Sequence, residues 1–198
     1  MGFFELDGPR LPPQAGGKAK SLVVLLHGLG ADGNDLISLA PLWARVLPNT
    51  AFVSPHAPFP CDMAPYGRQW FSLLDRTPAR VLAGVQAAAP ILDAFLDAEL
   101  ARHELPPERL ALVGFSQGTM MSLFVAPRRP VAIAGVVGYS GALVGAELLP
   151  GELRARGRRH RGRDADLPRP AAFDRRGRPA GGCGIPDRTA GRHAYRVT

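Results

Sequence analysis

The segment Gly114-Phe115-Ser116-Gln117-Gly118 constrains this chain more than any other. It follows an apolar run, Leu110-Ala111-Leu112-Val113, and opens a helical pattern that continues to Val125. A serine in that setting occupies a tight strand-to-helix turn, which only small neighbours allow. The turn strains the serine backbone and lifts its hydroxyl above the edge of a sheet. The helix that follows offers its positive end to any negative charge developing there. Ser116 is therefore the candidate nucleophile; an ordinary Gly/Ser turn is the bland alternative.

The pattern around it supplies the sheet. Leu22-Val23-Val24-Leu25-Leu26 is a continuous apolar run, as a buried parallel strand would be. Asn34 or Asp35 can cap a helix running to about Val46. Ala51-Phe52-Val53-Ser54 reads as a strand stopped by Pro55, and helical spacing runs from about Ala79 to His103 until Pro106-Pro107 ends it. Arg109–Val113 reads as a strand, Ser116–Val125 as a helix and Val131–Val137 as another strand. This alternation predicts an α/β fold, a mostly parallel sheet with helices on both faces.

A second motif, His27-Gly28-Leu29-Gly30-Ala31-Asp32-Gly33, follows the first strand. Acyl transfer needs main-chain N–H donors aimed at the oxyanion. The residue after the nucleophile, Gln117, supplies one, and Leu29 in this Gly-rich loop is the candidate for the other. The same glycines fit the dinucleotide fingerprint, which requires an acidic residue about 20 positions on. That region reads Ser54-Pro55-His56-Ala57-Pro58 and holds no acid. His27, at the strand end, reads as a structural histidine rather than a base, and so does His56 in its proline-flanked turn. Trp70 and Phe71 could line an acyl pocket or equally pack in the core.

The net charge of +7 raises a nucleic-acid reading, but its distribution opposes it. Residues 1–150 hold 11 Lys+Arg against 12 Asp+Glu; residues 151–198 hold 13 Arg and only 5 Asp+Glu. The tail has just six large apolar residues, no two adjacent, too few to offset the entropy of ordering it. The expected organisation is one domain over 1–150 and an Arg/Gly/Pro-rich tail over 151–198, disordered or ordered only locally. An evolved partner for that tail, nucleic acid or an acidic surface, is the alternative function. No apolar run approaches a membrane span, and no secretory signal is read at the N-terminus. Cys61 and Cys183 make neither a disulfide framework nor a metal quartet. A cytoplasmic setting with no metal and no cofactor is expected.

Taken together, these motifs resemble the phospholipase/carboxylesterase family, which includes acyl-protein thioesterases. The resemblance covers roughly residues 18–150. It runs through the His27–Asp35 loop, Ser54–Pro58, Gln69-Trp70-Phe71, Gly114–Gly118 and Gly138-Tyr139-Ser140-Gly141-Ala142. It implies a lidless α/β-hydrolase that hydrolyses carboxylic esters, with thioesters or lysophospholipids as further substrates. It also implies a Ser-Asp-His triad and no cofactor. The family's Asp turn is approximated by Asp164-Ala165-Asp166-Leu167-Pro168, which makes Asp166 the candidate, although the Arg-rich residues before it cannot form a buried strand. The family's Gly-His-Gly turn is absent. Gly182-Cys183-Gly184 has its outline with the wrong residue, His193 is the nearest histidine by spacing, and His160 precedes the Asp. Residues from about 151 onward are expected not to be the family's native C-terminus, as in an out-of-frame or truncated reading. The expected consequences are missing C-terminal strands and closing helix, an uncovered sheet, and impaired esterase activity.

Overall fold

The computed structural model describes residues 5–149 and 195–197. Extended, apolar sequence builds one mixed sheet. β1 is Arg10–Leu11, β2 Ser21–Leu26 and β3 Thr50–Val53; β6 is Leu110–Phe115, β7 Gly135–Tyr139 and β8 Tyr195–Val197. Between them lie helices α1 (Gly33–Ile37) and α2 (Ala40–Ala44), a small hairpin of β4 (Phe59–Pro60) and β5 (Arg68–Gln69), helix α3 (Pro78–His103), and helix α4 (Gln117–Val125). The spatial order is β1-β3-β2-β6-β7-β8. The four central strands run parallel, and β1 and β8 close the edges antiparallel.

Strand parity divides the core into two layers. Leu22, Val24, Leu26, Leu110, Leu112 and Val136 face α3 and α4, where Val85, Leu92, Leu96, Met121 and Phe124 complete a large cluster. Val23, Leu25, Phe52 and Val113 face the other way, onto Ala40 and Ala44 of α2 with Leu36, Ile37 and Trp43 around them. Helices thus lie on both faces, as expected. On this second face α1 and α2 cover β2 and β3 and reach only Ala111 and Val113 of β6. Val137 and Tyr139, beside Val113 and Phe115 on β7, remain 36% exposed.

Three local expectations are corrected. The helix expected from Asn34 or Asp35 to Val46 is two helices, and its cap is Asp32, whose carboxylate accepts the Asn34 N–H at 2.8 Å. The break follows from Pro41, which has no N–H for the Ile37 carbonyl, and from Ser38, whose hydroxyl donates to the Asp35 carbonyl at 2.6 Å. The strand expected over Val131–Val137 begins at Gly135 and ends at Tyr139. Its partner β6 starts at Leu110, whose carbonyl already accepts the Ala134 N–H, so residues before it have no ladder to join. Finally, α3 is by length and composition apolar enough to cross a membrane, contrary to the sequence reading. In the fold it is a core helix, burying Val85, Ala88, Leu92, Phe95, Leu96 and Leu100.

Edge strand β1 is pinned by charge. Arg10 donates from Nε and Nη2 to the carboxylate of Glu99 on α3, with Nη2 at 2.8 Å. Glu99 is 1% exposed and also meets Arg102. The hydrogen bonds to Glu99 hold the Arg10 guanidinium well above its ordinary value.

Candidate active site

The strand order reverses at β2. β3 lies on one side of it, and the chain then returns by α3 to place β6 on the other. In open α/β sheets the crevice beyond the carboxyl ends of such strands is where ligands bind. The two sequence motifs occupy those ends: residues 27–33 follow β2, and Ser116 follows β6.

Ser116 has φ 51° and ψ −112°, a left-handed backbone that a non-glycine residue adopts only when its surroundings impose it. Several contacts impose it here. The Ser116 N–H donates to the Tyr139 carbonyl at 2.8 Å, and the Ser116 carbonyl accepts from Met120 at 3.2 Å. Thr119, fully buried, accepts the Tyr139 N–H at 3.0 Å and donates to the Gly114 carbonyl at 2.7 Å. Glycine is required at 118, because a β-carbon there would come within 1.9 Å of the Leu26 carbonyl oxygen. That closeness seats α4 directly against the end of β2 and leaves Ser116 half-buried at the surface.

The Gly-rich loop passes beside this serine. A β-carbon on Gly28 would lie 3.3 Å from Ser116 Cβ and 3.1 Å from the Phe115 ring. Among the described residues, neither the Leu29 nor the Gln117 main-chain N–H meets an acceptor. Both unpaired donors therefore belong to segments that converge on the serine.

The loop is locked by its histidines. Ala57 donates its N–H to His27 Nε2 at 3.0 Å, which makes Nε2 an acceptor and puts the ring proton on Nδ1, 2.7 Å from the Gly28 carbonyl. Both ring nitrogens are engaged, the ring is fully buried, and burial pushes its pKa below the ordinary value. His56 Nδ1 accepts the Gly33 N–H at 3.1 Å. Both histidines hold backbone.

Residues 67–71 join the Gly-rich loop to α4 as a strap. Gly30 donates to the Arg68 carbonyl at 2.9 Å, and Arg68 donates back to Ala31 at 2.8 Å. Position 67 needs glycine, with φ +78° and the Gly30 carbonyl 2.0 Å from where a β-carbon would be. The Trp70 indole N–H donates to the His27 carbonyl at 3.0 Å. Gln117 reaches the strap with its side chain: Oε1 accepts the Trp70 N–H at 2.9 Å and Nε2 donates to the Phe71 carbonyl at 2.6 Å. The Trp70 and Phe71 side chains are 0% and 3% exposed and pack in the α3/α4 core. Sequence reasoning gave Gln117 only its main chain and overlooked Thr119. The available signal was polar residues, Gln117, Thr119 and Ser122, in an otherwise apolar nine-residue helix. Asp166, His193, His160 and Cys183 lie outside the described residues, as does the tail expected over 151–198 apart from Tyr195–Val197, which forms β8 beside β7. A cavity of about 450 Å³ lined by Asp7, Asp32, His56 and Arg68 includes neither Ser116 nor Gln117. No metal-binding cluster occurs among the described residues.

Comparison with known proteins converges on one family. The phospholipase/carboxylesterase model matches residues 13–159. Acyl-protein thioesterase 1 of Schizosaccharomyces pombe is 32% identical over 139 residues, 66% of this chain and 60% of that protein. The crystal structure of esterase PE8 is 46% identical with a TM-score of 0.69, covering 72% of this chain and 67% of that one. Acyl-protein thioesterase 2 of Zea mays is 26% identical with a TM-score of 0.51, covering 74% of this chain and 67% of that one. The match thus spans less than two thirds of the S. pombe protein's length.

Proposed function

This chain belongs to the phospholipase/carboxylesterase family, and we propose that its site hydrolyses carboxylic esters through a covalent acyl-enzyme on Ser116. The observation that carries this reading is the strained, half-buried Ser116 with two N–H groups, from Leu29 and Gln117, that meet no acceptor among the described residues, on the segments beside it. In this mechanism a histidine takes the proton from Ser116 Oγ as the oxygen attacks the ester carbonyl. Negative charge moves onto the carbonyl oxygen and is met by the two main-chain donors and the start of α4. Collapse expels the alcohol, or a thiol from a thioester, which takes the proton back from the imidazole. Water then repeats the cycle on the acyl-serine. The exposed Phe115 ring, lying against Gly28, offers the acyl group an apolar surface next to the serine.

The described histidines each have a structural place. His27 has both ring nitrogens engaged, His56 holds Gly33, and His103 sits at the end of α3 beside Glu99. Outside the described residues, spacing favours His193 as the candidate base and Asp166 as the group that orients it. Neither His160 nor His193 stands in the family's usual turn, so turnover is expected to be weak. Removing a triad member elsewhere costs on the order of 10⁴-fold or more. Hydrolysis of a short p-nitrophenyl ester and fluorophosphonate labelling test the proposal. Slow turnover and labelling, both abolished in Ser116→Ala and further reduced in His193→Ala, are expected. Turnover that survives Ser116→Ala would remove the serine from the chemistry.

A further inference from the structure

The fully buried Gln117 side chain spends both of its polar atoms outside its own helix. Its partners, the Trp70 N–H and the Phe71 carbonyl, are 47 and 46 residues away in the chain. They belong to the strap, and the strap grips the Gly-rich loop on both sides of Leu29. Before Leu29, the Trp70 indole holds the His27 carbonyl; after it, the Arg68 carbonyl holds the Gly30 N–H. Leu29 itself makes no hydrogen bond through its N–H among the described residues. Its peptide plane is held at the Gly28 carbonyl, which accepts from His27 Nδ1 at 2.7 Å and from the Ala31 N–H at 3.3 Å, and the two strap contacts fix the residues on either side of that plane. The Gln117 N–H, in turn, is covalently joined to the side chain that anchors the strap.

We infer that the Gln117 carboxamide is a positioning residue that fixes the Leu29 N–H relative to the Gln117 N–H, using residues 67–71 as the rigid link. This rests on the reading of those two groups as oxyanion donors and adds what keeps them aligned. Two donors stabilise one developing charge only while both point at the same atom, and small errors of placement cost rate steeply. Loop and elbow come from strands formed far apart in the sequence, and the strap bonds both. The carboxamide suits the task because its donor and acceptor satisfy a buried N–H and a buried carbonyl together. A hydrocarbon of the same size would leave both strap groups unpaired.

Gly28-Leu29 is the only Gly-Leu pair in the chain. Protein labelled with carbonyl-¹³C glycine and ¹⁵N leucine therefore gives one carbonyl-coupled amide signal, that of Leu29. The full chain is compared with Gln117→Leu, Gln117→Glu and Ser122→Ala. Gln117→Glu keeps the acceptor for Trp70 and loses the donor to Phe71. Ser122→Ala removes a buried hydroxyl that bonds only within α4 and reports loss of stability alone. The Leu29 signal is expected to shift in Gln117→Leu, to shift less in Gln117→Glu, and to stay in place in Ser122→Ala. A Leu29 signal that stays in place in either folded Gln117 variant overturns the inference, and Gln117→Glu decides if Gln117→Leu does not fold. Fluorophosphonate labelling of unmodified protein reads the esterase proposal separately, since the Leu29 signal does not depend on a reactive Ser116. Where turnover is measurable, kcat for Gln117→Glu is expected to fall about tenfold with KM unchanged, as for a group acting only in the transition state.

Discussion

Val136 and Val137 are the same residue type, adjacent on β7, and they face different surroundings. Val136 points into the α3/α4 layer and is 4% exposed; Val137 points to the other face and is 36% exposed. The contrast extends to whole faces. α3 runs for 26 residues, and with α4 it closes its side across β2, β6 and β7. α1 and α2 are five residues each and leave the β7 half of their side uncovered among the described residues. The site stands at the ends of β2 and β6; β2 is packed on both faces, while β6 is covered on the second face at Ala111 and Val113 and open at Phe115, next to the serine. The elbow therefore relies on the α3/α4 layer and on the strap, and little on α1 and α2.

Paired substitutions on β7 probe this contrast most strongly. Val136→Ala is expected to cost about 2 kcal/mol, from lost transfer energy and the cavity left behind, and Val137→Ala under about 0.5 kcal/mol. Urea unfolding of both variants measures it, and equal losses would mean that the second face is as closed as the first. Next in size is Arg10→Ala, which strips the buried Glu99 carboxylate of its bidentate partner. Arg102 still meets that carboxylate, so the expected loss is about 1.5 kcal/mol, below the usual range for a severed buried pair. A loss near zero would show that β1 contributes nothing to holding α3 on its face.

The smallest effect concerns His27, at the end of β2 where the two faces meet. Burial holds its pKa below the ordinary 6.5, so the folded protein binds this proton less readily than the unfolded chain. Stability is then intact above about pH 6.5 and declines as pH falls below it, because the unfolded state gains protons first. A urea midpoint lower at about pH 5.5 than at pH 7.5, with the difference reduced in His27→Gln, is expected. Equal midpoints would place His27 in a more solvated setting than the fold gives it.

What was legible in the sequence was what neighbouring residues decide. The elbow, the Gly-rich loop, the parallel strands and the long α3 each carry their cause within a few positions. Gly114 and Gly118 flank Ser116, and an unbroken apolar run marks β2. The departures arose where a distant partner decides. The start of β7 is set by where β6 begins; the α1/α2 break is the exception, since Pro41 and Ser38 are local signals that the apolar spacing masked. The β4/β5 hairpin is only two residues per strand and forms against the loop it holds. The Gln117 carboxamide was invisible for the same reason, since its partners lie 46 and 47 residues away. The triad candidates Asp166 and His193 rest on resemblance and spacing in an Arg-rich stretch whose composition predicts no strand, and β8 at Tyr195–Val197 was not read there.

The reversal of strand order at β2 also bears on how the chain is made. Leu22 pairs with Leu110, so the central strand waits for a neighbour 88 residues downstream. At translation rates of about 5–20 residues per second, that wait is roughly 4–18 s. During it, one side of β2 is an unsatisfied ribbon of strongly apolar sequence, open to pairing with any other nascent strand. The residues emerging meanwhile include α3, which can form locally and shield the Leu22, Val24 and Leu26 face before β6 arrives. The long helix is thus available to the strand before β6 is, and the serine turn can form only once that wait is over.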